Sequence, residues 1–260
     1  MKDNILVKPA LTEEKEKLSI INQYFLLLRL LITDYRSAAP FLLIIGLIIP
    51  MGFLWILSRY VGTGPETTWL LAGNIIMAVS FGSVSFSIQR TALMKIEGEL
   101  DYYGSLSVKK SAFVFAIFTE SMIFAFPALL GSMIMGNILL EIPWSTLLSV
   151  IPIALLSAGC LTILGSTLGS YAKTMVHFAI FSYLPFLAVF LSPVMVPLVE
   201  LPLVLKITSY VLPTGQAVMA LTDVLNREFD QRFYLLLTAL IIWLAIGFYI
   251  AFKKLDWRSE

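Results

Sequence analysis

The sequence predicts an all-α integral membrane protein, and three observations carry that prediction. Its 260 residues are 58% hydrophobic and only 13% charged, against about 25% charged in an ordinary soluble domain. The mean hydropathy is +0.88. Six stretches, roughly 40–59, 69–89, 112–136, 145–170, 174–193 and 233–252, are apolar over nearly their whole length. A helix rising 1.5 Å per residue needs about 20 such residues to cross roughly 30 Å of hydrocarbon, so six transmembrane helices are expected.

Residues 1–18 form a polar tail ahead of the first apolar stretch. They do not read as a cleavable signal peptide, because no short apolar core with a cleavage site follows. Residues 19–36, SIINQYFLLLRLLITDYR, have an apolar core too short to span. Asn22, Arg29, Thr33 and Arg36 recur near helical spacing, which predicts an amphipathic helix lying in the membrane interface.

The spans make up a domain over 37–252, followed by a short tail at 253–260. Between spans two and three the chain reads RTALMKIEGELDYYGSLSVKKS, Arg90 to Ser111, with three acidic and four basic residues. A plain connection would need only a handful of polar residues, so a segment of this length and charge predicts something outside the membrane that grips it. Ile96, Leu100 and Tyr103 fall at four- and three-residue spacing, one apolar ridge for a short helix to bury in a partner. Arg90 and Lys109–Lys110 suit the headgroup boundary, where basic side chains snorkel.

The basic residues also set the orientation. With the N-terminus inside, 14 of the 18 Lys and Arg lie on the inner face. Only Arg59, Lys206, Arg227 and Arg232 lie outside. Both termini and the 90–111 segment are therefore expected in the cytoplasm of a plasma or inner membrane protein. The net charge of +1 argues against a nucleic-acid binder.

Residues 194–222 are apolar yet broken. Pro193, Pro197, Pro202, Pro213 and Gly215 rule out an uninterrupted span, since proline removes a donor and clashes with the preceding turn. Irregular backbone at membrane depth is tolerated only when buried in protein or lining a cavity. Two short helices dipping into the outer leaflet and returning fit that rule.

Chemistry finds few residues to work with. The chain has no G-x-x-x-x-G-K-[ST] loop, H-E-x-x-H, paired C-x-x-C or G-x-S-x-G. One cysteine, Cys160, and one histidine, His177, exclude an internal disulfide and a multi-histidine metal site. His177 is expected to pack at the interface. Glu120 is the one carboxylate well inside a span, about ten residues past Lys110. Such a group faces the bundle interior or a water-filled cavity. It reads equally as a residue gating a transport path and as a carboxylic acid bonded to a serine or a carbonyl of a neighbouring helix. Ser80, Ser83, Ser85 and Ser87 cluster around Gly82 in span two, and Gly165-x-x-x-Gly169 lies in span four. Close helix packing is the favoured reading of both; for Ser80, Ser83 and Ser87 the other is a polar path lining.

Two stretches resemble the membrane subunit of type-2 ABC exporters. Met94-Lys-Ile-Glu97-Gly98-Glu-Leu100 looks like that family's M-x-x-E-G-x-L coupling segment, continued here by Tyr103-Gly104-Ser105-Leu106-Ser107 in place of L-L-x-T-P. Ser192-Pro193 through Leu201-Pro202 to Leu212-Pro213-Thr214-Gly215 resembles its external hairpin. The resemblance implies a coupling helix between spans two and three and a re-entrant hairpin before span six. It assigns ATPase coupling to Met94, Glu97, Gly98, Leu100 and Tyr103. It also implies that ATP and Mg are bound by two copies of a separate ATPase subunit, and that a second permease subunit, identical or homologous, shares the path. The lead-in Asp34-Tyr-Arg36-Ser-Ala-Ala-Pro40 lacks the R-Y-x-x-S-x-L-G-x-L-W pattern of the polysaccharide exporters, which favours a drug, lipid or peptide as cargo. The competing expectation is an ion-coupled secondary transporter using Glu120. An intramembrane enzyme lacks convergent polar groups.

Overall fold

The computed structural model describes residues 19–34, 39–60, 66–106, 108–192 and 194–254. The tails at 1–18 and 255–260, the lead-in at 35–38, the connection at 61–65, Ser107 and Pro193 lie outside the described residues. Among the described residues every regular element is helical. In order they are α1 (Ile20–Asp34), α2 (Ala39–Leu57), α3 (Glu66–Val79), α4 (Ser85–Ile96), α5 (Glu99–Ser105), α6 (Lys110–Leu139) and α7 (Trp144–Gly169). Then follow α8 (Met175–Ser182), α9 (Leu184–Leu191), α10 (Leu203–Val211), α11 (Pro213–Asn226) and α12 (Gln231–Lys254).

Among the described residues four helices are long and apolar enough to cross a membrane: Glu66–Ile96, Lys110–Leu139, Trp144–Gly169 and Gln231–Lys253. The first is α3 and α4 joined through a π-helical turn at Ser80–Val84. Its apolar window is 83% buried within the chain, whereas that of α12 is 22% buried, so α3–α4 is the axis of the bundle and α12 an outer wall. The other two expected spans differ. The 40–59 stretch gives the 19-residue α2. The 174–193 stretch is not one helix but two of eight residues, α8 and α9, meeting at Tyr183. Pro185 is the reason: it stands in the first turn of α9, where its missing N–H is one that a helix start leaves unpaired anyway.

The prolines of 194–222 act in the same way. Pro202 is the N-cap of α10, Pro213 opens α11, and Pro197 precedes a short 3₁₀ turn at Leu198–Glu200. They begin helices rather than merely interrupting one, and the expected pair of short helices is α10 and α11. The turn between them is tight. A Cβ on Gly215 would sit 2.2 Å from the Ser209 carbonyl oxygen. α11 is buried along nearly its whole length against α3, α7 and α12, whereas Leu203, Val204 and Ile207 of α10 are exposed. Val194 rests its backbone on Gly73 of α3, where a Cβ would come within 2.1 Å of the Val194 carbonyl oxygen.

α1 is amphipathic in three sectors. Gln23, Leu27 and Leu31 are buried against α6. Ile21, Phe25 and Ile32 form an exposed apolar strip, and Asn22, Arg29 and Thr33 an exposed polar one. The Tyr24 hydroxyl donates to Thr119 Oγ1 at 3.0 Å, and the Lys109 N–H donates to Gln23 Oε1 at 2.8 Å. A separate apolar cluster joins Leu27 and Leu31 of α1, Met94, Leu100 and Tyr103, Phe113 of α6 and Ala251 of α12. The N-terminal helix, the 90–111 segment and the end of α12 thus meet at one end of the bundle. At another locus Arg227 donates to Thr146 Oγ1 at 3.4 Å and Arg232 pairs with Asp223 at 3.5 Å, bringing together the starts of α7 and α12.

Candidate functional site: an elbow and a buried charge cluster

The elbow between α4 and α5 is built on one glycine. Glu97 caps α4, its N–H bonding the Leu93 carbonyl at 2.8 Å. Gly98 then adopts φ 79°, ψ 7°, a left-handed conformation that costs other residues about 1–2 kcal/mol. A Cβ there would meet nothing within 4 Å, so the demand is conformational and not steric.

Beyond the elbow α5 has two faces. Leu100, Tyr103 and Gly104 are buried; Tyr102 is 63% and Leu106 37% exposed. The Tyr103 ring lies against Phe113 of α6, centroids 4.9 Å apart. Burial pushes its phenol up to about 12, with Asp34 adding to the shift and Arg90 opposing it. The expected apolar ridge is therefore corrected. Of Ile96, Leu100 and Tyr103, the last two are buried with Met94 in the chain's own core and Ile96 is half-buried, so the ridge anchors the segment in the chain itself. What the elbow turns outward is Glu97, Tyr102, Ser105 and Leu106.

Glu120 is fully buried on α6, and it is not alone. Arg90 Nε lies 3.8 Å from Glu120 Oε2, and Arg90 Nη2 donates to Asp34 Oδ2 at 3.0 Å. The expected bond to a serine or a carbonyl of a neighbouring helix is corrected, because neither carboxylate oxygen has a hydrogen bond among the described residues and the neighbour is an arginine. Arg90 was expected at the headgroup boundary. It instead has a side chain only 8% exposed, drawn inward by two carboxylates. The cluster ties the end of α1 to α4 and α6. Nothing local in the sequence points to it, since Asp34 is 56 residues from Arg90.

The serines mostly serve helix contact. Thr162 Oγ1 of α7 donates to Ser83 Oγ at 3.0 Å, and Ser87 Oγ lies 3.2 Å from the Thr162 carbonyl oxygen. Ser80 is buried with its hydroxyl unpartnered among the described residues. Gly165 and Gly169 bring α7 onto α4: added Cβ atoms would stand 2.6 Å from Ser87 Oγ and 2.0 Å from Thr91 Oγ1. Ser80, Ser83 and Ser87 thus lie inside the bundle. Of the four clustered serines it is Ser85 that lines a cleft of about 160 Å³, with Pro50, Phe81, Phe86 and Phe124.

In the hairpin, Pro197, Pro202, Pro213 and Gly215 sit at helix starts or the tight turn already described, and Thr214 and Ser192 share a short hydroxyl contact. His177 is exposed in the first turn of α8, its Nδ1 accepting from the Lys173 N–H at 3.3 Å and its own N–H capped by Thr174. Cys160 is buried and free. Among the described residues no cluster of His, Cys, Asp and Glu could hold a metal ion. Comparison of the chain with known protein families gives no match, and comparison with curated proteins gives none.

Proposed function

We propose that this chain is the permease subunit of an ATP-binding-cassette exporter, moving an amphipathic drug, lipid or peptide outward across the plasma or inner membrane. ATP and Mg are held by two copies of a separate ATPase subunit. A second permease subunit, identical or homologous, completes the path. The chain crosses six times with both termini in the cytoplasm: α2 and the α8–α9 pair supply the two crossings beyond the four long helices. α1 lies in the inner interface, and α10 and α11 form the re-entrant external hairpin.

The observation that carries this reading is the elbow. A seven-residue helix between two long apolar ones is set off by a left-handed glycine. Its inner face is locked into the cluster shared by α1, α6 and α12. A push on its outer face therefore bears on that shared cluster, first through Phe113 of α6, as an element driven from outside requires. The gathering of α1, the elbow and the end of α12 at one end of the bundle agrees with the side that the basic residues assign to the cytoplasm.

The test replaces outward residues, Glu97→Lys and Tyr102→Ala, and measures substrate-stimulated ATP hydrolysis by the assembled complex. The proposal expects stimulation to fall while the chain's thermal stability is kept. Unchanged stimulation in both variants sinks the coupling assignment. A second reading, an ion-coupled transporter working through Glu120, is favoured by one observation: Glu120 has an arginine beside it. It requires uptake driven by a proton or sodium gradient, abolished by Glu120→Gln, without any ATPase.

A further inference from the structure

We infer that Arg90 is a positioning residue shared between two carboxylates: it ties the last turn of α1 to the bundle through Asp34, and Glu120 takes it over when that turn loosens. The geometry is unequal on the two sides. The contact to Asp34, at 3.0 Å, is a hydrogen bond; the contact to Glu120, at 3.8 Å, is too long to be one. The exposures are unequal in the opposite sense. Asp34 is the last residue of α1 and its side chain is 46% exposed, whereas Glu120 is 0% exposed.

Water can therefore satisfy Asp34 once its bond is broken, but nothing among the described residues hydrogen-bonds the Glu120 oxygens. A buried carboxylate without hydrogen bonds is held at a cost. An approach of about 1 Å by the guanidinium would turn the ion pair into a charge-assisted bond. Losing Asp34 is thus offset for Arg90 by gaining Glu120. The two arrangements are balanced in charge and differ in whether the last turn of α1 is tied. A packed element with two such settings is what converts a small displacement into a discrete change.

The placement makes the exchange mechanically useful. α1 is fixed to the bundle through Gln23 and Tyr24 and through buried Leu27 and Leu31, so release at Asp34 frees only its last turn. Glu120 lies on α6, the helix against which Tyr103 of the elbow packs. Arg90 lies on α4, the helix that carries the elbow. Movement at α5 and movement of α1 are read by one guanidinium. This inference concerns the chain itself and holds whichever source of energy drives the cycle.

The test uses the full chain in phosphatidylcholine–phosphatidylglycerol nanodiscs with ¹⁵N-arginine labelling. The Arg90 Nε–H resonance is assigned by its loss in Arg90→Lys. In Asp34→Asn the resonance is expected to move downfield and exchange more slowly with water, as Nε–H engages Glu120. In Asp34→Asn combined with Glu120→Gln that shift is expected to vanish. Asp34→Glu, which keeps the charge, is expected to leave the wild-type signal. An Nε–H signal in Asp34→Asn identical to wild type overturns the inference, and so does a shift that survives Glu120→Gln. A bond that merely held the fold would move with Asp34 alone and ignore Glu120.

Discussion

Consider Gly169→Ala, one methyl group added where α7 touches α4. The new Cβ would stand 2.0 Å from Thr91 Oγ1 and 2.4 Å from the Ile88 carbonyl oxygen. Ordinary non-bonded contact lies near 3.5 Å, so the helices must part by about 1 Å. The threonine hydroxyl could rotate, at the expense of its 2.7 Å bond to the Ser87 carbonyl. The Ile88 oxygen is main chain and cannot. Overpacking of this kind costs about 1–3 kcal/mol. In a membrane that loss is felt directly, because lipid-embedded helices associate through packing and not through exclusion of water.

At roughly 2–4 °C per kcal/mol for a chain of this size, the melting temperature should fall by roughly 2–12 °C. The assay is supplied by the protein. Cys160 is the single cysteine and is fully buried, so a thiol-reactive fluorophore reports unfolding directly. Gly82→Ala is the control: its Cβ would have 3.9 Å to its nearest neighbours, and the change should stay within about 0.5 kcal/mol of wild type. Equal melting temperatures for the two variants would refute the argument that α7 and α4 meet through Gly169.

Three further outcomes are expected. Arg90→Met leaves Glu120 buried beside no cation and should destabilise the chain by about 3–5 kcal/mol, whereas Arg90→Met with Glu120→Met should recover most of the loss; the same thiol melt measures both. Leu100→Ala empties a fully buried site and should cost about 2–5 kcal/mol, while exposed Tyr102→Ala should leave the melt unchanged and act only on coupling. Spectrophotometric titration of wild type against Tyr103→Phe should find the Tyr103 phenol ionising near 12. Between pH 10 and about 12 the unfolded chain sheds that proton and the folded chain keeps it, so its contribution to stability, intact below pH 10, is lost as pH rises through the window, and Tyr103→Phe should remove this part of the alkaline loss.

The parts of this fold legible from sequence are those that a single helix dictates. Long apolar runs give α6, α7 and α12 because burying a hydrogen-bonded backbone in hydrocarbon needs only length and composition. Proline signals the broken 194–222 region because its ring acts on its own turn. The division of 174–193 is not legible from Pro185 alone, since a proline inside a helix is tolerated at Pro127 and Pro152 and starts a new helix only where the chain turns. Periodicity points to the ridge containing Leu100 and Tyr103 and says nothing of what covers it; the chain's own core covers it, with Phe113 of α6 against Tyr103. Glu120 stood out by being a carboxylate among apolar residues. Its arginine did not, because Arg90 sits near a helix end where snorkelling to the headgroups is the simpler account. Only the packing of α1, α4 and α6 brings the three charges together.

The central claim is that an external ATPase drives this chain through the elbow. The most direct measurement is purification of the full chain from native membranes in mild detergent, followed by assay of vanadate-sensitive ATP hydrolysis and counting of subunits by mass spectrometry. The account predicts a phosphate-loop ATPase in one-to-one ratio with the permease, whose hydrolysis becomes insensitive to substrate when Glu97 is replaced by lysine. A chain that purifies without any ATPase, and that transports under an ion gradient dependent on Glu120, would contradict it.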